Sequence, residues 1–212
     1  MLRERYVGPP LPETSTIDTE LVSRIVLDLK RGKAAGFDGL SAEHLLFSHP
    51  IGLLHLVLTK LFQLIMSYRY VPDGFRYSYI VPLPKLKDCR NNSMTCDDFR
   101  GIAISPFLSK VFEYCLLDRF GNVFKSADNQ YGFKNGIGCN YAIYTARKIV
   151  DKFISLGCTA NLCALDFSKA FDKVNHHALF IKLMKWHIPN ELLELFENWF
   201  TNCHSCIKWV NA

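Results

Sequence analysis

Apolar positions along this chain recur mostly at helical spacing. Leu21, Val22, Ile25, Val26 and Leu29 fall three and four residues apart, the period of one helix face. Ser15-Thr16-Ile17-Asp18 ahead of them reads as a capping box, and Lys30-Arg31-Gly32 as the stop. A turn-rich loop with a basic edge follows, Lys33-Ala34-Ala35-Gly36-Phe37-Asp38-Gly39. A second helix is expected from about Ser41 and a third over roughly Leu53 to Tyr68. Tyr79 to Lys85 (YIVPLPK) predicts a strand, and its prolines assign it to an edge or a projecting arm.

After a polar stretch from Asp88 to Asp98, Arg100 to Ile104 predicts a second short strand. Ser105-Pro106 opens a helix with proline at its first position, and Leu108, Val111, Phe112, Cys115 and Leu116 form its apolar stripe. Residues 129–139 (NQYGFKNGIGC) are a glycine-punctuated loop, and Tyr141 to Leu156 is again amphipathic. Leu162 to Phe167 predicts a short strand that delivers the acid Asp166, and residues 176–200 return to helical period. Residues 1–14, broken by Pro9, Pro10 and Pro12, are expected to be a linker or disordered end. Helices outnumber strands, so the fold class expected is α+β.

Composition narrows the classes. At 212 residues, 49% hydrophobic and 21% charged, the chain suits one domain or a large piece of a bigger one, and excludes a fibre or a disordered tail. Twenty-five Lys and Arg against 20 Asp and Glu leave +5, which tolerates a phosphate-rich partner without demanding one. The longest apolar stretch, Ile51 to Met66, is interrupted by His55, Lys60 and Gln63, so no membrane partner is expected. The N-terminus, with Arg3, Glu4 and Arg5, lacks the apolar core of a signal peptide. The eight cysteines are read as reduced, with Cys115 and Cys163 as small hydrophobes in apolar runs. The expected setting is intracellular, in cytoplasm or nucleus.

Two groups of residues could carry chemistry. In ALDFSKAFDKV (164–174), a strand end would hold Asp166 beside a tight turn, a suitable place for a hard oxygen ligand of Mg²⁺. Phe171, five residues on, would present its ring near whatever the metal holds. The alternative is an acid capping the next turn, with Phe171 in the core. Lys85 and Arg100, each beside a predicted strand, would clamp a polyphosphate, or else be solvated surface charges.

Other motifs fall away on spacing. Gly136-Ile137-Gly138 lacks the third glycine of a dinucleotide loop, because position 141 is Tyr. Cys203-His204-Ser205-Cys206 is a single CxxC with no second pair after it. His176-His177 follow Asn175, a natural N-cap, and read as helix-start residues rather than ligands.

ALDFSKAFDKV resembles motif A of reverse transcriptases, in the form found in non-LTR (LINE-type) retrotransposons. Other blocks stand in that family's order. LKRGKAAGFDGLSAEHL resembles its lysine-glycine-aspartate-glycine block, with Ala35 and Phe37 where proline is common. YIVPLPK and DDFRGIAISPFLSKVFEYCLLDRF resemble its fingers strands and following helix. NQYGFKNGIGC resembles its Gln-x-Gly-Phe loop, with Lys134 and Asn135 where Arg-Pro is usual. The resemblance covers about residues 15–212.

It implies a right-hand polymerase architecture, with fingers over 15–157 and the start of the palm over 158–212. It further implies that Asp166, with the Phe167 carbonyl, would hold two Mg²⁺ ions. Phe171 would be the steric gate under the deoxyribose, and Lys85 and Arg100 would grip the incoming triphosphate. Asp172, the second acid of the motif, is expected to be structural. The partners implied are an RNA template, a DNA primer and deoxynucleoside triphosphates; nothing bears on oligomeric state.

One departure is large. The Tyr/Phe-x-Asp-Asp box and the Pro-Gln-Gly block that follow motif A in the family are absent from the 46 residues after Asp166. Asp97-Asp98 lies upstream, with Thr95 where the aromatic belongs. The expectation is therefore a piece that ends mid-palm and is inactive alone. Two other readings stay open: a nucleic-acid-binding or decayed fragment without catalysis, and a related polymerase such as a group II intron maturase or an RNA-copying enzyme. Phe171 disfavours RNA copying, since a ribonucleotide gate needs room for the 2′-hydroxyl.

Overall fold

The computed structural model describes residues 6–12, 15–85, 95–124, 126–134 and 136–209. Cys89, Asp88, Asn135 and the Arg3-Glu4-Arg5 charges lie outside the described residues. The chain divides into unit 1, residues 1–123 and 182–212, and unit 2, residues 124–181. The fold is mixed α/β, several helices with one small sheet.

In unit 1, helices α1 (Thr19–Leu27), α2 (Ala42–Leu46), α3 (Ile51–Tyr68), α4 (Phe107–Phe120) and α7 (Asn190–Thr201) surround the core. The N-cap of α1 is Asp18, whose carboxylate accepts from Leu21 N at 2.8 Å, so the capping box expected at Ser15 is not what starts this helix. Asp18 also pairs with Arg119, and Arg24 with Asp118, tying α1 to α4. Pro106 is likewise the N-cap of α4 rather than its first helical residue.

The α3 helix is long and apolar enough to cross a membrane by length and composition. Its face of His55, Leu58, Thr59, Phe62 and Ile65 is instead buried in this unit. Gln63 Nε2 donates to Ile17 O at 2.7 Å, a bond made across to the segment leading into α1. At the centre Phe112 is fully buried, with ring centroids 5.2 Å from Phe62, 6.4 Å from Phe75 and 5.7 Å from Trp199.

His55 is 4% exposed and its Nε2 has no hydrogen-bond partner among the described residues. Burial holds its pKa below the ordinary histidine value. The unfolded chain takes up a proton near pH ~6.5 while the folded one resists it. Stability is therefore complete above that pH and falls as pH drops, by up to ~1.4 kcal/mol per unit until the folded group titrates. Urea denaturation between pH 5 and 8 should show this slope, and His55→Leu should flatten it.

The sheet has order β2-β1-β3, from β1 (Tyr77–Pro84), β2 (Phe99–Ile104) and β3 (His204–Ile207). β1 pairs antiparallel with β2 and parallel with β3. The expectation that β1 is an edge strand is corrected at Tyr79 and Ile80, which lie between two neighbours; Tyr77 and Ser78 pair with β3 alone. Beyond Ile80 only β2 remains, and the prolines sit there. Lys85 N donates to Asp98 O at 2.8 Å, so in this register Pro82 and Pro84 turn their nitrogens away from β2, toward the side β3 does not reach.

The 33–39 loop packs against β1 and α4. Tyr79 Oη donates to Ala35 O at 2.7 Å. A Cβ on Gly36 would lie 2.6 Å from Pro106 Cα, so only glycine allows this approach. Near the chain start, Tyr6 Oη donates to Ile188 O at 2.6 Å.

Unit 2 holds α5 (Cys139–Ser155) and the first part of α6 (His176–Lys185). Gly157, at φ +74°, closes α5: its N–H reaches Ile154 O and that of Cys158 reaches Phe153 O, the double bond of a Schellman ending. Asn175 Oδ1 accepts from Ala178 N at 3.0 Å, capping α6 as its position suggested. No residue of α5 is buried, although its apolar positions recur at helical period. Cys115 is fully buried, and burial pushes its thiol up to about 12, whereas Cys163 is exposed and not the core hydrophobe expected.

Candidate nucleotide and metal site

Lys85 and Arg100 are brought together by the β1–β2 hairpin. Arg100 stands opposite Leu83, and Lys85 continues the register opposite Asp98. Residues facing one another across a ladder share a face, as do residues two apart along a strand. Both cations therefore project from the same face of the hairpin, diagonally placed at roughly 7–8 Å between backbones.

The returning strand is built for this register. Thr95 N and Oγ1 both donate to Asp98 Oδ2, at 2.9 and 2.8 Å, fixing the turn at 95–98. Lys85 Nζ donates to Asp97 O at 2.7 Å, which holds the ammonium where β1 ends and β2 is about to begin. Asp97-Asp98 thus has an architectural use in this turn.

Asp166, Phe167 and Phe171 share one segment of unit 2. The strand expected over Leu162 to Phe167 does not form, because among the described residues nothing pairs with it. A strand is completed by its ladder partner, and an apolar run alone does not make one. Leu162, Leu165, Phe167 and Phe171 are all largely exposed.

The turn after Asp166 does form. Asp172 N and Lys173 N both reach Lys169 O, at 3.1 and 3.2 Å, and Lys173 Nζ donates to Ser168 Oγ at 3.0 Å. Asp166 precedes this turn in chain without regular secondary structure, and it is exposed. Among the described residues no group of three or more His, Cys, Asp or Glu side chains converges as a metal cage would require. The Phe171 ring meets that of Phe133 edge-on, centroids 6.0 Å apart.

Two features escaped the sequence reading. Arg76 is buried, with Nη2 donating to Asn198 Oδ1 at 2.7 Å and the guanidinium lying over Tyr70. Phe133 is the phenylalanine of the Gln-x-Gly-Phe block, to which the sequence reading assigns no role, and its contact with Phe171 has no signature in sequence spacing.

No protein-family model matches the chain. Among curated proteins it is 25% identical over 209 residues to the RNA-directed DNA polymerase from mobile element jockey of Drosophila funebris. This chain is a remote relative of a transposon-associated polymerase. The match covers 92% of the chain and 22% of that protein, so the chain spans about a fifth of the length of the curated relative it matches.

Proposed function

We propose that the chain forms the fingers and the opening part of the palm of a LINE-type retrotransposon reverse transcriptase. The observation that carries this reading is the similarity to the jockey polymerase along 92% of the chain. The order of the sequence blocks and the shared face of Lys85 and Arg100 support it.

In the complete enzyme, Lys85 and Arg100 bind the triphosphate of a deoxynucleotide, Arg100 by a planar fork and Lys85 as a point charge. Asp166, a hard carboxylate in open solvent with the Phe167 carbonyl beside it, has the donor chemistry Mg²⁺ prefers. One carboxylate is not a full set, so the remaining acids come from outside the described residues. Bound Mg²⁺ supplies charge stabilisation to the attacking and leaving oxygens of nucleotidyl transfer templated by RNA. Phe171 lies under the sugar and leaves no room for a 2′-hydroxyl.

The test is nucleotide selection. In a complete polymerase that carries residues 1–212, primer extension on RNA should use deoxynucleotides, and Phe171→Val should raise the ribo- to deoxynucleotide incorporation ratio by roughly 10- to 100-fold. An unchanged ratio would assign Phe171 to packing instead.

A further inference from the structure

The loop before α5 holds an aromatic residue in a conformation that aromatic residues avoid. Phe133 has φ +58° and is 91% exposed. A bulky side chain there is strained and persists only where the surroundings over-determine it. Burial is no compensation for a ring left in solvent.

The loop is nevertheless braced on both sides of that residue. Tyr131 Oη donates to Thr145 Oγ1 at 3.1 Å, tying the loop to α5. Lys134 Nζ donates to Ala127 O at 2.8 Å, and Lys134 bridges to Ile137. Gln130 Nε2 donates to Gly132 O at 3.1 Å. What this bracing presents is one ring, set edge-to-face on Phe171 with an interplanar angle of 87°. That is the favoured geometry of an aromatic pair, electropositive edge against electronegative face. Phe171 is itself 79% exposed and sits on a turn whose bonds run through Lys169, at φ +52°. Its other described surroundings are open, so its neighbour ring matters to where it rests.

We infer that Phe133 is a positioning residue: it sets the place of the Phe171 ring and so tunes discrimination at the nucleotide sugar. This rests on the reading of Phe171 as the sugar gate. Phe133 is not itself assigned any contact with the nucleotide.

Two measurements test it. In the 212-residue chain, 4-fluorophenylalanine at position 171 should give a ¹⁹F resonance that moves on Phe133→Leu and stays close to its place on Phe133→Tyr, which keeps a ring. In a complete polymerase carrying these residues, Phe133→Leu should raise the ribo- to deoxynucleotide ratio by about two- to tenfold, the range an aromatic pair is worth. Phe133→Tyr should restore selection. If Phe171→Val relaxes selection and Phe133→Leu does not, the positioning role is wrong and the gate reading stands. If Phe171→Val itself has no effect, both fall. An unmoved resonance, or an equal loss of incorporation for both sugar types, would also overturn the positioning role.

Discussion

Primer extension on an RNA template should be undetectable with the 212-residue chain alone, whether Mg²⁺ or Mn²⁺ is supplied. The described residues offer Asp166 and no convergent set of acids around it. Mg²⁺ gives up its waters reluctantly, and a single carboxylate in solvent does not hold it in place for phosphoryl transfer. In a complete polymerase carrying this chain, Asp166→Asn keeps the shape and removes the charge. A loss of about 5–7 kcal/mol of transition-state stabilisation would slow the chemical step roughly 10⁴–10⁵-fold. Single-turnover extension rates check this. Synthesis by the isolated chain that vanishes with Asp166→Asn would mean that further acids reach the site from a second copy. Full activity of the substituted complete enzyme would remove Asp166 from the metal site altogether.

Phe112→Ala should be the most damaging single core change in unit 1. The ring is fully buried among Phe62, Phe75 and Trp199, which come from three separate parts of the chain. Truncating a buried phenylalanine costs about 3–5 kcal/mol through lost transfer energy and the cavity left behind. Against a typical stability of about 5–15 kcal/mol, that is a large share. The thermal midpoint should fall by roughly 6–20 °C. Leu117→Ala, on the exposed side of the same helix, should change stability by no more than about 0.5 kcal/mol. Equal losses for the two would show that the aromatic centre is not what holds the unit together.

The helices were legible because their signals are local. The apolar stripe of α4, the Asn175 cap of α6 and the Gly157 ending of α5 are each decided by residues a few positions apart. The strands were legible only where alternation and prolines mark them. β3 was missed because all four of its residues are exposed and carry no inside-outside alternation. The opposite error occurred at Leu162 to Phe167, where a strand-like apolar run finds no partner among the described residues. At the candidate site, the shared face of Lys85 and Arg100 followed from two short strands flanking a polar stretch, which spacing suggested. The Phe133–Phe171 contact did not, since it depends on a left-handed backbone angle that no residue pattern announces.

The parallel pairing of β3 with β1 has a consequence for synthesis on the ribosome. Ser78 and Ser205, whose hydroxyls meet at 2.8 Å between these strands, are 127 positions apart in sequence. At about 5–20 residues per second, the β1 edge waits roughly 6–25 s for its neighbour to be made. Through that interval the side of Tyr77 to Ile80 that β3 will cover stays unpaired, with β2 holding only Tyr79 and Ile80 on the other side, an open template for any extended segment nearby. The residues made in the meantime include the apolar, unpaired run at 162–167. Nascent chains crowded on one message therefore have a period in which strand exchange between neighbours competes with correct closure, and slower elongation past Ile80 would lengthen it.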